Sequence, residues 1–144
     1  MVEASATESG RVIVNPGELG RPVGFSHGVL VPAGRLLFLA GQTGTDAAGR
    51  LVAPDDLPGQ FTQVLRNLQA VVTAAGGAMP DIVQTTIFVQ DRDLYRTHLK
   101  ELGRIHKSFF GSYYPATALV EVARFFEDGV LIEIQGMAVI RAEA

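Results

Sequence analysis

The stretch from Pro115 to Ile140, P-A-T-A-L-V-E-V-A-R-F-F-E-D-G-V-L-I-E-I-Q-G-M-A-V-I, constrains the fold more than any other part of the chain. Two runs rich in Val, Ile and Leu flank Phe126-Glu127-Asp128-Gly129. Asp-Gly supplies the positive φ of a tight reversal, so the local pattern predicts a β-hairpin. Alternation along the first strand separates Thr117, Leu119, Glu121, Ala123 and Phe125 from Ala118, Val120, Val122 and Arg124. On the second strand Val130, Ile132, Ile134, Gly136, Ala138 and Ile140 oppose Leu131, Glu133, Gln135, Met137 and Val139. Neither strand has a clean polar side, and a strand apolar on both faces is covered on both. A carboxylate in such a setting, Glu133, must find a partner or serve a chemical purpose.

The chain has 144 residues, 47% of them hydrophobic and 19% charged, which suits one globular domain with a real core. We expect residues 1–10, small, polar and acidic, to be a disordered segment and residues 11–144 to form the single domain. Twelve Lys and Arg against 15 Asp and Glu give a net charge of -3, and no basic run marks a nucleic-acid or anionic-membrane surface. The absence of cysteine excludes disulfides, thiolate nucleophiles and zinc-thiolate sites. Residues 1–10 lack the basic and apolar regions of a signal peptide, and no apolar run is long enough to span a bilayer. A soluble, cytoplasmic protein is the expectation.

Val12-Ile13-Val14 predicts a short strand, followed by a loop over 16–24 rich in Gly and Pro. Phe25 to Val31 and Arg35 to Gln42, joined by Pro32-Ala33-Gly34, predict a second hairpin, and the break at Gly41-Gln42 permits close approach by a ligand or another backbone. Phe61, Val64, Leu65, Leu68, Val71 and Val72 recur at helical spacing over 57–75, with Asp56 as cap, Pro58 in the first turn and Gly76-Gly77 as the stop. A strand is predicted over 81–90. Asp91 or Asp93 then caps a second helix over 94–110 that buries Leu94, Leu99, Leu102, Ile105 and Phe109. The order is α+β. Two helices cover one face of such a sheet only, so the two-sided strands predict that other copies of the chain cover the second face.

No glycine run ending in Lys-Ser or Lys-Thr and no strand leading into G-x-G-x-x-G is present, so no nucleotide cofactor is expected. His98 and His106, about two turns apart, lack the carboxylate pattern of a metal helix and read as surface or packing residues, so no metal is expected. Ser26 and His27 are adjacent on a strand and point to opposite faces, which excludes a nucleophile-base pair. Glu121 and Glu133 lie within apolar strands. Shielding would raise the Glu133 pKa and suit it to relay protons to or from a water; an ion pair with Arg124 would instead make it structural.

These residues together resemble a known family. Leu37-Phe38-Leu39-Ala40-Gly41-Gln42, the helix ending Ala74-Ala75-Gly76, Asp81 to Val89, Tyr114-Pro115-Ala116 leading into Val120-Glu121-Val122-Ala123-Arg124, and Leu131-Ile132-Glu133-Ile134 are similar to the Rid (YjgF) family of enamine/imine deaminases over about residues 11–141. The resemblance implies a chorismate-mutase-like α+β fold, a mixed sheet with two helices on one face, assembled as a homotrimeric barrel with clefts between subunits. It implies that a glutamate on the last strand, matched by Glu133, and backbone groups near an S-G-Q segment, matched by Ala40 and Gly41, position the hydrolytic water. Phe25 matches a common tyrosine and Asp93 an asparagine. Thr117 stands where an arginine clamps the substrate carboxylate, and threonine offers no charged, bidentate grip. The implied pocket is less basic and more apolar, suited to a small molecule whose carboxylate is absent, remote or held elsewhere. The expected activity is hydrolytic deamination of an atypical enamine or imine. A non-catalytic trimer that binds a small metabolite or a protein is the alternative, and a ribonuclease is disfavoured by the lack of a basic groove.

Overall fold

The chain runs β1 (Val2–Ala6), β2 (Val12–Pro16), β3 (Gly28–Leu30), β4 (Arg35–Gln42), α1 (Leu57–Ala74), β5 (Ile82–Val89), α2 (Arg92–Thr97), α3 (Leu99–Phe110), β6 (Ala116–Glu121) and β7 (Ile132–Ile140) in a computed structural model that describes residues 2–6 and 10–141. β4, β5 and β6 run parallel, linked by crossovers through α1 and through α2 and α3, and β7 inserts antiparallel between β4 and β5 to give the order β4-β7-β5-β6. β1, β2 and β3 form a separate antiparallel sheet. The architecture is α+β, as expected.

Neither predicted hairpin forms. β6 and β7 are not neighbours, because β5 lies between them, parallel to β6 and antiparallel to β7. Gly129 does take the positive φ that Asp-Gly suggested, at 84°, but the turn serves a longer connection across the end of β5. Val122 N–H bonds Val89 O at 2.9 Å and Gln90 N–H bonds Leu131 O at 3.1 Å. A local turn signal carries no information about a distant strand that outcompetes the neighbour for its ladder. The second predicted hairpin divides in the same way, with β3 in one sheet and β4 in the other.

Residues 1–10 also differ from expectation. Val2–Ala6 pair antiparallel with β2 in the register Val2↔Pro16 to Ala6↔Val12, whereas Met1 and residues 7–9 lie outside the described residues. Edge pairing is made by backbone groups, which the polar composition of this segment does not reveal.

α1 forms as its periodicity requires. Asp56 accepts from Gly59 N–H at 3.0 Å, Pro58 occupies the first turn, and Gly76, at φ 86°, follows the C-cap Ala75. Its buried face, Phe61, Val64, Leu65, Leu68 and Val72, packs on Leu39, Ile82, Ile132, Ile134, Ala138 and Ile140. The second predicted helix is instead two. Asp91 caps α2 through Leu94 N–H at 3.0 Å, and the axis kinks at His98, whose Nδ1 lies 3.0 Å from Leu94 O. Leu99 is exposed as a result, and Leu102 and Phe110 carry the core contact of α3.

Gln60 is fully buried in α1, and its amide is matched on both sides. It donates to Ala53 O at 3.3 Å and Gly129 O at 3.1 Å, and accepts from Leu131 N–H at 2.9 Å. This one side chain fastens the β6–β7 connection to the helix layer. Gln60→Leu keeps the volume but strands these backbone groups, and is expected to cost about 2 to 4 kcal/mol in urea unfolding; an unchanged midpoint would show that the network carries no stability.

Candidate functional site

All helices lie over one face of the four-stranded sheet. Cross-strand register assigns each side chain to a face: Leu36↔Val139, Phe38↔Met137, Thr86↔Gln135, Phe88↔Glu133 and Phe88↔Val120 share the bare face. On it Phe38 is 69% and Leu36 61% exposed, a broad apolar surface for a single chain to leave uncovered. The pairs Leu39↔Gly136, Thr85↔Gly136 and Thr85↔Thr117 face the helices. Glu133 and Thr117 therefore stand on opposite faces of one chain's sheet.

On the bare face, Ala40, Gly41 and Glu133 come together. The β4–β7 register gains one residue on β4 between Leu39 and Gln42, a bulge that lifts Ala40-Gly41 out of the ladder. A Cβ on Gly41 would fall onto the Glu133 carboxylate, so only glycine lets that acid fold over the bulge. Glu133 is half-buried, and among the described residues the salt bridges are Arg11 with Asp81, Arg50 with Asp46 and Arg92 with Asp93. The structural pairing with Arg124 is not formed, and Arg124 is exposed. Glu121 is not a buried strand carboxylate: it is exposed and accepts from Arg92 N–H at 2.8 Å, securing the start of α2.

On the helix side, Thr117 and Phe25 border a cavity of about 500 Å3 between α3 and strands β5 and β6. Phe25 is carried there by its neighbour: Ser26 N–H bonds Pro115 O at 3.1 Å and its hydroxyl donates to Tyr114 O at 2.7 Å. The hydroxyl of Thr117 donates to Pro115 O at 3.0 Å and lies 2.8 Å from that of Thr85. With the Thr117 proton given to Pro115, Thr85 is the donor of that pair, and both hydroxyl protons are committed within the wall. Asp93 does not join this group. It is exposed at the start of α2, 3.4 Å from Arg92 Nη2.

Four aromatic residues of the cavity wall, Tyr95, His106, Phe110 and Tyr114, were given no part in the site by the sequence. His106 is stacked between Phe110 and Tyr114, each centroid 4.4 Å away at 16° and 9°. Burial holds its pKa down to about 4, so the ring is neutral. Burial, and then the charge of Tyr114, pushes the Tyr95 hydroxyl up. The i, i+4 spacing of His106 and Phe110 was the visible signal for the stack; Tyr114 joins it only through the turn into β6. A folded-state pKa below the ordinary 6.5 means that protonation favours the unfolded chain. The stability from neutral His106 is complete above pH 6.5 and falls as pH drops towards 4, by at most about 3 kcal/mol and less in proportion to solvent screening. His106→Phe is expected to flatten that part of the pH dependence in denaturant unfolding, and an unaltered slope would assign it to other groups.

Among the described residues no three His, Asp or Glu side chains gather as metal ligands would, and no helix is long and apolar enough to cross a membrane.

The family profile described as Endoribonuclease L-PSP matches residues 18–140. A Rid-family protein of unknown function from Yersinia pestis, YyfB, superposes with a TM-score of 0.81 at 32% identity, covering 90% of this chain and 98% of that one. The chain belongs to the Rid family. Among other members, it is 38% identical over 114 residues to the 2-iminobutanoate/2-iminopropanoate deaminase of Salmonella typhimurium, spanning 77% of this chain and 84% of that enzyme. It is 32% identical over 118 residues to a RutC family protein of Pyrococcus horikoshii, spanning 82% and 89%.

Proposed function

We propose that this Rid-family chain is a hydrolase that deaminates an uncharged enamine or imine at a cleft shared by two subunits of a homotrimer. The reading rests above all on Glu133 folded over the Gly41 bulge on a face left apolar and bare. With Thr117 on the opposite face, no single chain can bring the two together, and a neighbouring copy supplies the missing half. Phe38, Leu36 and Val120 are the natural contact surface between copies.

In this reading Glu133 accepts a proton from a water as the water oxygen adds to the imine carbon. The imine nitrogen takes up a proton, and the resulting carbinolamine expels ammonia to leave a carbonyl compound. An enamine first gains a proton at carbon to become the imine. Relatives named as deaminases act on 2-imino acids, but here no donor of Thr117 is free for a carboxylate. The substrate class is therefore set apart from theirs.

Ammonia release from paired imines that differ only in carrying a carboxylate or a neutral group tests this. The uncharged member should turn over faster, and Thr117→Arg should shift preference towards the acid by about tenfold or more. Faster turnover of 2-iminopropanoate by the unaltered chain would contradict it. Saturable binding without turnover of any pair would favour the non-catalytic alternative.

A further inference from the structure

Beyond the Thr85–Thr117 pair and the tyrosines Tyr95 and Tyr114, the cavity wall carries the imidazole of His106. Phe110 and Tyr114 cover both faces of the His106 ring, so the ring can meet the cavity only by an edge. Its Nδ1 is sealed from solvent and has no hydrogen-bond partner among the described residues. An orphaned lone pair in an apolar site is less costly than an orphaned N–H, which a neutral ring avoids by keeping its proton on Nε2. Around it stand Thr85, Thr117, Tyr95 and apolar side chains, and among the described residues no Asp, Glu, Lys or Arg borders the cavity.

We propose that His106 is a specificity-determining residue, whose Nε2–H donates to a carbonyl or imine acceptor on an uncharged ligand with an apolar body seated in this cavity. The proposal rests on the reading of the cavity as the substrate half of the shared cleft, and it narrows the substrate class. A carboxylate would lose its hydration here without a cation in exchange. A hydrocarbon would leave the imidazole donor unmatched. A neutral acceptor satisfies both.

Binding of three single-ring probes to the full-length protein at pH 7.5, followed by calorimetry, tests this. Acetophenone should bind about fivefold tighter than ethylbenzene, which has no acceptor, and at least about tenfold tighter than benzoate. His106→Phe keeps a stacking ring and should erase the preference over ethylbenzene while leaving that over benzoate; His106→Gln, which retains a donor, should restore part of it. The ranking on the unaltered chain needs no variant to fold. Benzoate binding as tightly as acetophenone, no measurable acetophenone binding, or a preference for acetophenone over ethylbenzene that survives His106→Phe would overturn the assignment. The same ranking is expected with Glu133→Ala. If it holds while no uncharged imine is deaminated, the catalytic reading falls and the pocket assignment stands; turnover with the wrong ranking has the opposite meaning.

Discussion

Glu133→Ala is expected to slow ammonia release by at least about 100-fold, the usual contribution of a positioned proton-transfer group. The effect should fall on kcat, because the apolar cavity proposed to hold the substrate body lies on the other side of the sheet and is untouched by the change. Folding should be little affected: the side chain rests over a glycine bulge, and removing it leaves no hydrogen-bond partner stranded among the described residues. Glu133→Gln keeps the shape but not the base, and should be nearly as slow. Equal rates for Glu133→Ala and the unaltered protein would remove the acid from the mechanism.

Phe38→Glu is expected to have the second large effect, on assembly. Phe38 is 69% exposed on a single chain and sits between Leu36 and the bulge, in the row paired with Met137. Covered by a neighbouring copy, a carboxylate at this position would be buried without a partner, a cost of several kcal/mol repeated around the ring. Light scattering should show the unaltered protein at the mass of three 15.4 kDa chains and the variant at that of one, with deamination lost and far-ultraviolet circular dichroism unchanged. A variant that remains trimeric and active would place the subunit contact elsewhere.

The parts of this arrangement that local chemistry governs were legible from residue order. α1 follows from the spacing of Phe61, Val64, Leu65, Leu68 and Val72 with Asp56 and Gly76 at its ends, and the two-sided character of β4 and β7 announced an uncovered face. Parity within β7 correctly opposed Glu133 to Ile132 and Ile134. What parity within a strand cannot supply is the register between strands. That register, Thr85↔Thr117 on one side and Phe88↔Glu133 on the other, puts the two key residues on different faces. Both hairpins failed for a related reason, since a tight turn favours local pairing without excluding distant partners: β5 took both β6 and β7, β2 took β3, and β7 took β4. The alternative between Asp91 and Asp93 as helix cap fell to Asp91, which leaves Asp93 exposed beside Arg92.

The role of His106 was illegible because its chemistry comes from packing. On a helical wheel it is an ordinary half-buried position. Phe110 and Tyr114 on its two faces convert it into a neutral donor with one usable edge.

The shared cleft is tested most directly by mixing two inactive variants, Glu133→Ala and Thr117→Phe, the second of which fills the cavity mouth. Each alone should be trimeric and inactive. Unfolded together and refolded, they should recover about a quarter of the unaltered activity, since mixed trimers contain one cleft built from the intact half of each chain. Two variants that each form trimers yet recover no activity on mixing would place the whole site within one subunit and contradict the account.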